Sequence, residues 1–312
     1  MRALGGLVYQ AVPAFEDHLA KELEGSPQVE SHGLLYHAPA SIAEDPVFWH
    51  HNVWLDPFSF EFDSISQAAS ALREIQGNWA PQFFTSYRRG ALICEKLPKV
   101  PNKKRPFPFM VPPVPMGAFS LLDDHTLIGS ARCTSPFPGG LIEFIEDPRP
   151  PSRAYLKLYE ALVRLGRFPG PGDLCLDAGA SPGGWTWVLA SMGARVIAVD
   201  RSPLDEVVAA MEGVEYVKHD AFTLKPHDLG PVDWLFCDVI SYPPRLFDWI
   251  EAWLASGLCK NFVCTIKMQG QAGGTADFES PRRFAAIPGS AVIHLCYNKH
   301  ELCWMLPGPG LS

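Results

Sequence analysis

The chain has 312 residues, 47% hydrophobic and 19% charged, with 26 Lys and Arg against 34 Asp and Glu for a formal net charge of −8. That length suggests two domains, and the composition is that of a water-soluble globular protein with no apolar run long enough to span a bilayer. The acidic balance excludes a generally basic nucleic-acid binder, so any RNA contact has to be local.

The N-terminus, MRALGGLVYQAVPAFEDHLAKELE, turns charged too soon for a signal-peptide core. Eight cysteines are scattered without a C-x-x-C pair or metal-ligand spacing, and Cys175, Cys237 and Cys264 sit inside apolar runs. Buried free thiols in a reducing cytoplasm are expected, and no metal site. His50, His51, His294 and His300 lack ligand spacing as well.

Residues 1–146 read as a smaller N-terminal α+β domain. GLVYQAV and GLLYHAP are expected as strands around a helix in AFEDHLAKELE. FSFEFD, SISQAASALREIQGNW and GALICEKL repeat the order strand, helix, strand. AFSLLDDHTLIGSAR reads as a hairpin turning at Asp123 and Asp124. Seven prolines between 98 and 115 predict an extended segment. It carries Lys96, Lys99, Lys103, Lys104 and Arg105 beside Phe107 and Phe109. Two readings stand side by side: a phosphate-tracking arm with aromatic stacking platforms, or a solvated linker whose phenylalanines tuck onto the protein.

EDPRPPSR marks the joint to a second domain, 147–312, opening with a helix in SRAYLKLYEALVRLG. The stretch around which this domain is organised runs from Leu174 to Asp200, LCLDAGASPGGWTWVLASMGARVIAVD: strand, glycine loop, helix, strand. Strands at 214–218, 234–238 and 262–267 alternate with helices at 204–212, LFDWIEAWLASG and DFESPRRFAAI, and AVIHLCY and ELCWML end the series. This is an α/β pattern with a mostly parallel sheet covered on both faces; the short link between the last two strands makes one of them antiparallel. Tyr242-Pro243-Pro244 reads as a helix start rather than an amine-cradling motif, because no Asp or Asn precedes the prolines.

The loop Gly179-Ala-Ser-Pro-Gly183-Gly184 departs from the dinucleotide pattern G-x-G-x-x-G. Ser181 replaces the second glycine, Pro182 removes an N–H donor, and Asp177 at the strand end would repel a phosphate. The loop suits a cationic ligand without phosphate, such as S-adenosylmethionine, better than NAD. Asp200, at the tip of the second strand, is placed to accept bonds from both ribose hydroxyls. Asp177, Asp200, Asp220, Asp238 and Lys267 all fall at or just after strand ends, where ligands bind in open α/β sheets.

PSRAYLKLYEAL, DAGASPGGWTWVL, VIAVDRSPL, WLFCDVISYP and CTIK together resemble the FtsJ-like ribose 2′-O-methyltransferases. SPFPGG shortly upstream points to the RlmM-like branch, which methylates a cytidine in bacterial 23S rRNA. The resemblance covers residues 135–306. It implies a Rossmann-like S-adenosylmethionine-dependent methyltransferase fold, an rRNA partner, and a Lys-Asp-Lys-Glu tetrad that matches Lys157, Asp238, Lys267 and Glu301. It also places Ser181, Pro182, Gly183 and Gly184 on the cofactor, with Asp200 on its ribose, Asp220 at the adenine and Asp238 near the methyl group. Trp185 packs at the loop or in the core. The family's hydroxyl residue is Ala154 here, and its RNA-binding extension with a THUMP module would correspond to a shorter, divergent first region.

A ribose hydroxyl must be held in line with the methyl group and relieved of its proton. Lys267 is the expected base, its pKa lowered by burial and by Lys157, with Asp238 and Glu301 orienting the two amines. The alternatives are a methyltransferase acting on another RNA, or a catalytically idle protein that binds cofactor and RNA in assembly.

Overall fold

The computed structural model describes residues 1–26, 28–38, 46–101, 103–268 and 277–308. The chain divides into two compact units, one formed by 1–105 with 111–143, the other by 106–110 with 144–312.

The first unit contains β1 (Arg2–Ala3), β2 (Leu7–Ala11), α1 (Glu16–Glu22), β3 (Glu30–His32), β4 (Leu35–Ala38), β5 (His50–Leu55), β6 (Phe58–Glu61), α2 (Ile65–Ile75), β7 (Trp79–Pro81), α3 (Tyr87–Glu95), β8 (Gly117–Leu121), β9 (Thr126–Ser130) and β10 (Arg132–Cys133). They form two five-stranded sheets, ordered β1-β6-β9-β8-β7 and β10-β5-β2-β4-β3. Val8, Leu35, Trp54, Ala118 and Ile128, from strands of both sheets, share one core cluster. Helices α2 and α3 cover the first sheet through Ala68, Leu72 and Ile93, with Leu97 just past α3, packed with Phe58, Phe119 and Leu127. The hairpin at 118–132 forms as expected, β8 pairing antiparallel with β9 and Asp123 accepting the backbone N–H groups of His125 and Thr126.

GALICEKL is not a strand: it continues the helix α3. Its buried positions, Gly90, Ile93 and Leu97, recur every three to four residues, a helical spacing that a short apolar run masks. Gly90 is there because Phe83 lies flat against it; a Cβ would run into that ring. The strand β5, interior to its sheet between β2 and β10, had no apolar alternation to announce it.

The second unit contains α4 (Tyr155–Leu165), β11 (Leu174–Ala178), α5 (Gly184–Ser191), β12 (Arg195–Asp200), α6 (Glu206–Ala209), β13 (Val214–Lys218), α7 (Pro226–Leu229), β14 (Val232–Cys237), α8 (Pro243–Ser256), β15 (Cys259–Lys267), α9 (Glu279–Ala285), β16 (Ala291–Ile293) and β17 (Glu301–Leu306). The sheet order is β13-β12-β11-β14-β15-β17-β16. All pairings from β13 to β15 are parallel, and β17 runs antiparallel to both neighbours. The architecture is α/β and Rossmann-like. Continuous apolar runs in β11, β14 and β15 follow from burial on both faces. The chain order reverses between β11 and β14, which opens a crevice beyond their carboxyl ends. The expected helix at 204–212 shrinks to a single turn, 206–209. Pro243 and Pro244 open α8, where missing N–H groups cost nothing. Phe107 stacks on Tyr159 with ring centroids 3.7 Å apart, and Phe109 packs on Phe144, so both phenylalanines are tucked in.

Gly90→Ala should lower stability by about 1–3 kcal/mol despite the better helix propensity of alanine, because the added methyl group meets the Phe83 ring. Urea denaturation of the parent and the variant measures it; equal or higher stability of the variant would contradict this packing.

Candidate active site

Four charged side chains from four elements converge beyond the sheet. Lys157 lies in the first turn of α4, Asp238 directly follows β14, Lys267 ends β15 and Glu301 begins β17. Strand register brings the last two together, since Lys267 and Glu301 are direct partners in the β15–β17 ladder. Lys157 Nζ donates to Asp238 Oδ2 at 2.6 Å and to Glu301 Oε1 at 3.0 Å. Lys267 Nζ donates to Asp238 Oδ1 at 2.5 Å and to Glu301 Oε2. Each carboxylate thus bridges both ammonium groups, and the four side chains are 10–17% exposed.

Two residues that spacing did not single out complete the cluster. Thr265 Oγ1 donates to Asp238 Oδ1 at 2.6 Å, and Asn298 Nδ2 donates to the Glu301 carbonyl at 3.0 Å. Thr265 was discoverable, because it stands two residues from Lys267 and so shares its strand face. Within α4, Glu160 is fully buried; it accepts from Arg164 Nε at 2.8 Å and from the backbone N–H of Cys296 at 2.7 Å, tying the helix that carries Lys157 to the loop before β17.

The electrostatics correct one expectation. Burial pushes the Lys267 pKa down, but Asp238 and Glu301 push it up more strongly, so the ammonium is held above its ordinary value rather than below it. Asp238 shows the converse: burial raises its pKa, yet Lys267 and Lys157 keep it net below the usual carboxylate range. At rest Lys267 therefore keeps its proton, held between two carboxylates.

A cleft of about 330 Å³ adjoins the cluster in sequence: Val239 and Ile240, immediately after Asp238, line it together with Gly179, Asp200, Asp220, Phe222 and Arg245. Gly179 has φ +81°, and a Cβ there would strike Val239; Gly183, at φ +115°, starts α5 against Val208. Asp200 is fixed by two backbone donors, Ser181 N at 3.0 Å and Ser202 N at 2.8 Å, which leaves lone pairs on both oxygens. Ser181 Oγ donates to the Pro203 carbonyl at 2.9 Å.

Asp177, expected beside the cofactor, is turned inward, and of the two places expected for Trp185, loop or core, it takes the core. Asp177 is 1% exposed and accepts from Thr186 Oγ1 at 2.6 Å. Burial raises its pKa to about 7. Trp185 is a core aromatic whose indole N–H donates to the Ala154 carbonyl at 2.9 Å, edge-on to Phe236. Gly184 packs against Ser152, where a Cβ would meet its hydroxyl. Asp220 lines the cleft but is engaged by Arg201 and by Arg245 at 3.4 Å, and it caps the turn at Phe222 N. Arg245 also lies over the Phe222 ring at 4.7 Å. The cleft therefore balances two acids with two arginines, both of them on Asp220, instead of presenting a surplus of negative charge. What fits is a ligand with a vicinal diol for Asp200 and a planar group near Asp220 and Phe222, without a phosphate to rest on the Pro182–Gly183 loop. Among the described residues no group of three His, Cys, Asp or Glu could hold a metal ion.

The strand order, the glycine loop and the strand-end carboxylate define the second unit as a nucleotide-cofactor α/β domain of the methyltransferase class. Residues 150–296 match the FtsJ-like methyltransferase family. It is similar to the ribosomal RNA large subunit methyltransferase M of Azoarcus sp. (strain BH72), 39% identical over 143 residues, which are 44% of this chain and 38% of that protein. The protein of the same name from Xanthomonas campestris pv. campestris (strain B100) is 37% identical over 153 residues, 46% of this chain and 44% of its own. The matches thus span less than half the length of these curated relatives. Among solved structures, a putative hemolysin from Streptococcus thermophilus superposes with a TM-score of 0.41 at 20% identity, over 58% of this chain and 79% of its own.

A carboxyl whose pKa is raised on folding binds its proton more tightly in the native state, so its contribution to stability is full below pH 4 and is lost as pH rises through about 7. Asp177→Asn removes that dependence. Relative to the parent, the melting temperature of the variant should rise between pH 5 and pH 8; a constant difference across that range would show that Asp177 is already ionised in the folded protein.

Proposed function

We propose that this chain transfers the methyl group of S-adenosylmethionine to a ribose 2′-hydroxyl of RNA, with large-subunit ribosomal RNA as the substrate. The observation that carries this reading is the Lys157–Asp238–Lys267–Glu301 cluster, continuous in sequence with the diol-accepting cleft. The matched family and the names of the relatives support it. Asp200 would hold the cofactor ribose, Asp220 and Phe222 the adenine side, and Gly179 the close approach of the backbone. The cofactor supplies an electrophilic methyl group on a sulfonium, so the protein has to bring an oxygen nucleophile into line and accept its proton.

Lys267 is the proposed base, with Lys157 holding Asp238 and Glu301 in place as the proton moves. Because the two carboxylates keep Lys267 protonated at rest, entry of the hydroxyl has to displace one of its contacts before the amine can act. Lys96, Lys99, Lys103, Lys104 and Arg105 are proposed to contact RNA phosphates; Phe107, occupied by Tyr159, is left out of any stacking role. No described helix is long and apolar enough to cross a membrane. Together with eight free cysteines, a ribosomal RNA substrate favours a cytoplasmic protein.

Methyl transfer from tritiated S-adenosylmethionine to rRNA from methylase-deficient cells, followed by alkaline hydrolysis, tests the reaction. Ribose methylation leaves the label in a dinucleotide resistant to alkali, whereas label in mononucleotides would mean base methylation and end this reading. Lys267→Ala and Lys267→Arg should each reduce the rate by about 10²–10⁴-fold while cofactor still binds, since alanine has no basic group and arginine does not give up its proton. A wild-type rate in either variant would remove Lys267 as the base.

The pH profile gives an independent check. With the Lys267 pKa raised, the logarithm of the single-turnover rate should climb with pH through 9 without a plateau. Glu301→Gln removes one of the charges that raise it, so the climb should shift to lower pH. A profile in Glu301→Gln superimposable on that of the parent would show that another group titrates.

A further inference from the structure

The first unit holds a cavity of about 460 Å³, larger than the cleft beside the cluster, and no part of the proposed reaction uses it. Its walls include Trp79, Gln82, Leu97, Pro98, Lys99 and Leu141. Such a volume lies in the range of small-ligand sites, and flat apolar walls with one or two polar groups are how such sites take planar ligands. We propose that it receives an unpaired nucleobase of a single-stranded RNA segment, with Lys99 and its neighbours on the flanking phosphates. This inference rests on the reading of the chain as acting on RNA.

Two observations point to that ligand class. The first is an amide set to read a base edge. Gln10 Nε2 donates to Gln82 Oε1 and to the Gly139 carbonyl, each at 3.1 Å. One lone pair of the Gln82 oxygen is thereby engaged, while its Nε2 donates to no group among the described residues, leaving two N–H donors on a residue that lines the cavity. Gly139, at φ +62°, makes room for this amide, since a Cβ would stand 2.7 Å from Gln82 Nε2. Gln10 itself is 6% exposed, and its own Oε1 is buried without a hydrogen-bond partner among the described residues. A buried glutamine is thus kept behind the wall, and its visible use is to fix the amide in front of it. A fixed NH₂ group selects acceptors, the carbonyl oxygens and ring nitrogens that nucleobases carry on their edges.

The second observation is charge. The helix and arm that supply Leu97, Pro98 and Lys99 span residues 87–105, where seven Lys and Arg stand against one acid, Glu95, in a chain of net charge −8. Arg88, Lys96, Lys99, Lys103 and Lys104 make no ion pair among the described residues. An apolar pocket whose own lining segment is strongly cationic suits a planar group carried on a polyanion, and disfavours a neutral lipid or a basic peptide.

The test is binding of the full-length protein to a fluorescein-labelled oligocytidylate of about nine nucleotides, against an abasic ribose-phosphate chain of the same length and charge. The base-bearing chain should bind about tenfold tighter. Gln82→Met should remove most of that advantage without altering the salt dependence. Lys99→Ala should instead reduce the slope of log K against log salt by about 0.7 and leave the base preference intact. Leu141 is 44% exposed, so Leu141→Ala loses a wall with little risk to folding and should also weaken the preference. Equal affinity for the two chains, or a base preference untouched by both Gln82→Met and Leu141→Ala, overturns the proposal. The readout is binding, with no methyl transfer, so failure of the pocket and failure of the proposed reaction are separately visible; the preference should persist in Lys267→Ala.

Discussion

Two carboxylates, each bridging the same two lysines, form the constraint on which the second unit depends. In a site only 10–17% exposed, an isolated charge would be expelled or neutralised; four charges that sum to zero and satisfy one another are tolerated. The cost of losing one partner is therefore larger than the worth of a single ion pair, about 3–5 kcal/mol when a buried charge is left uncompensated. Each member comes from a different element: a helix before the sheet, the end of one central strand, the end of the next, and the start of the antiparallel strand. The cluster can be complete only if all four elements are in register, and Glu301 shows this most directly, because a slip of one residue in β17 would move its side chain to the opposite face.

The sheet that achieves this also sets the cleft. Reversal of strand order between β11 and β14 leaves the loops after both strands free to diverge, one becoming the Gly179–Gly184 turn and the other carrying Asp238, Val239 and Ile240. The close approach of Gly179 to Val239 joins the two loops at the point where a side chain on the first would prise them apart. Asp177, directly beneath, contributes differently from the other strand-end acids: with Thr186 it ties the strand to the helix that follows the loop, a packing role carried out by a polar pair.

Most of the second unit was legible because its signals agree with one another. Strands 174–178, 195–200 and 214–218 appear at their expected positions; the first two are apolar runs buried in a parallel sheet and closed by or carrying an acid, whereas the edge strand 214–218 alternates apolar Val214 and Tyr216 with charged Glu215 and Lys218. The tetrad was legible for a different reason, as four residues matched to motifs of a known family, and it was the folding of the chain that brought them within hydrogen-bonding distance. What could not be read was the direction in which a side chain leaves its strand. Asp177 and Asp200 both end strands, yet one is closed under a helix and the other lines a cleft. Nor could the sequence show that Arg201 and Arg245, 44 positions apart, would meet at Asp220. The first unit resisted more strongly: Gly90-Ala-Leu-Ile-Cys is too short an apolar run to separate period 2 from period 3.6, and the ring of Phe83 that decides the matter lies outside it.

The protonation state of Lys267 bears on how such a site can work at all. A lysine lowered by burial alone would be a ready base, and also an unpaired amine with nothing to hold its direction. Here the carboxylates fix its position and in doing so hold its proton. On the proposed reading, a hydroxyl that enters between Lys267 and one of its two acceptors takes over a hydrogen bond, while the remaining carboxylate and Lys157 keep the amine aimed. The lysine then keeps one direct carboxylate contact instead of two, so the attraction that raised its pKa weakens just as burial, which lowers it, is strengthened by exclusion of water. Activation of the base would thus be tied to occupancy by the substrate, and a solvent-filled site would keep its lysine charged and unreactive.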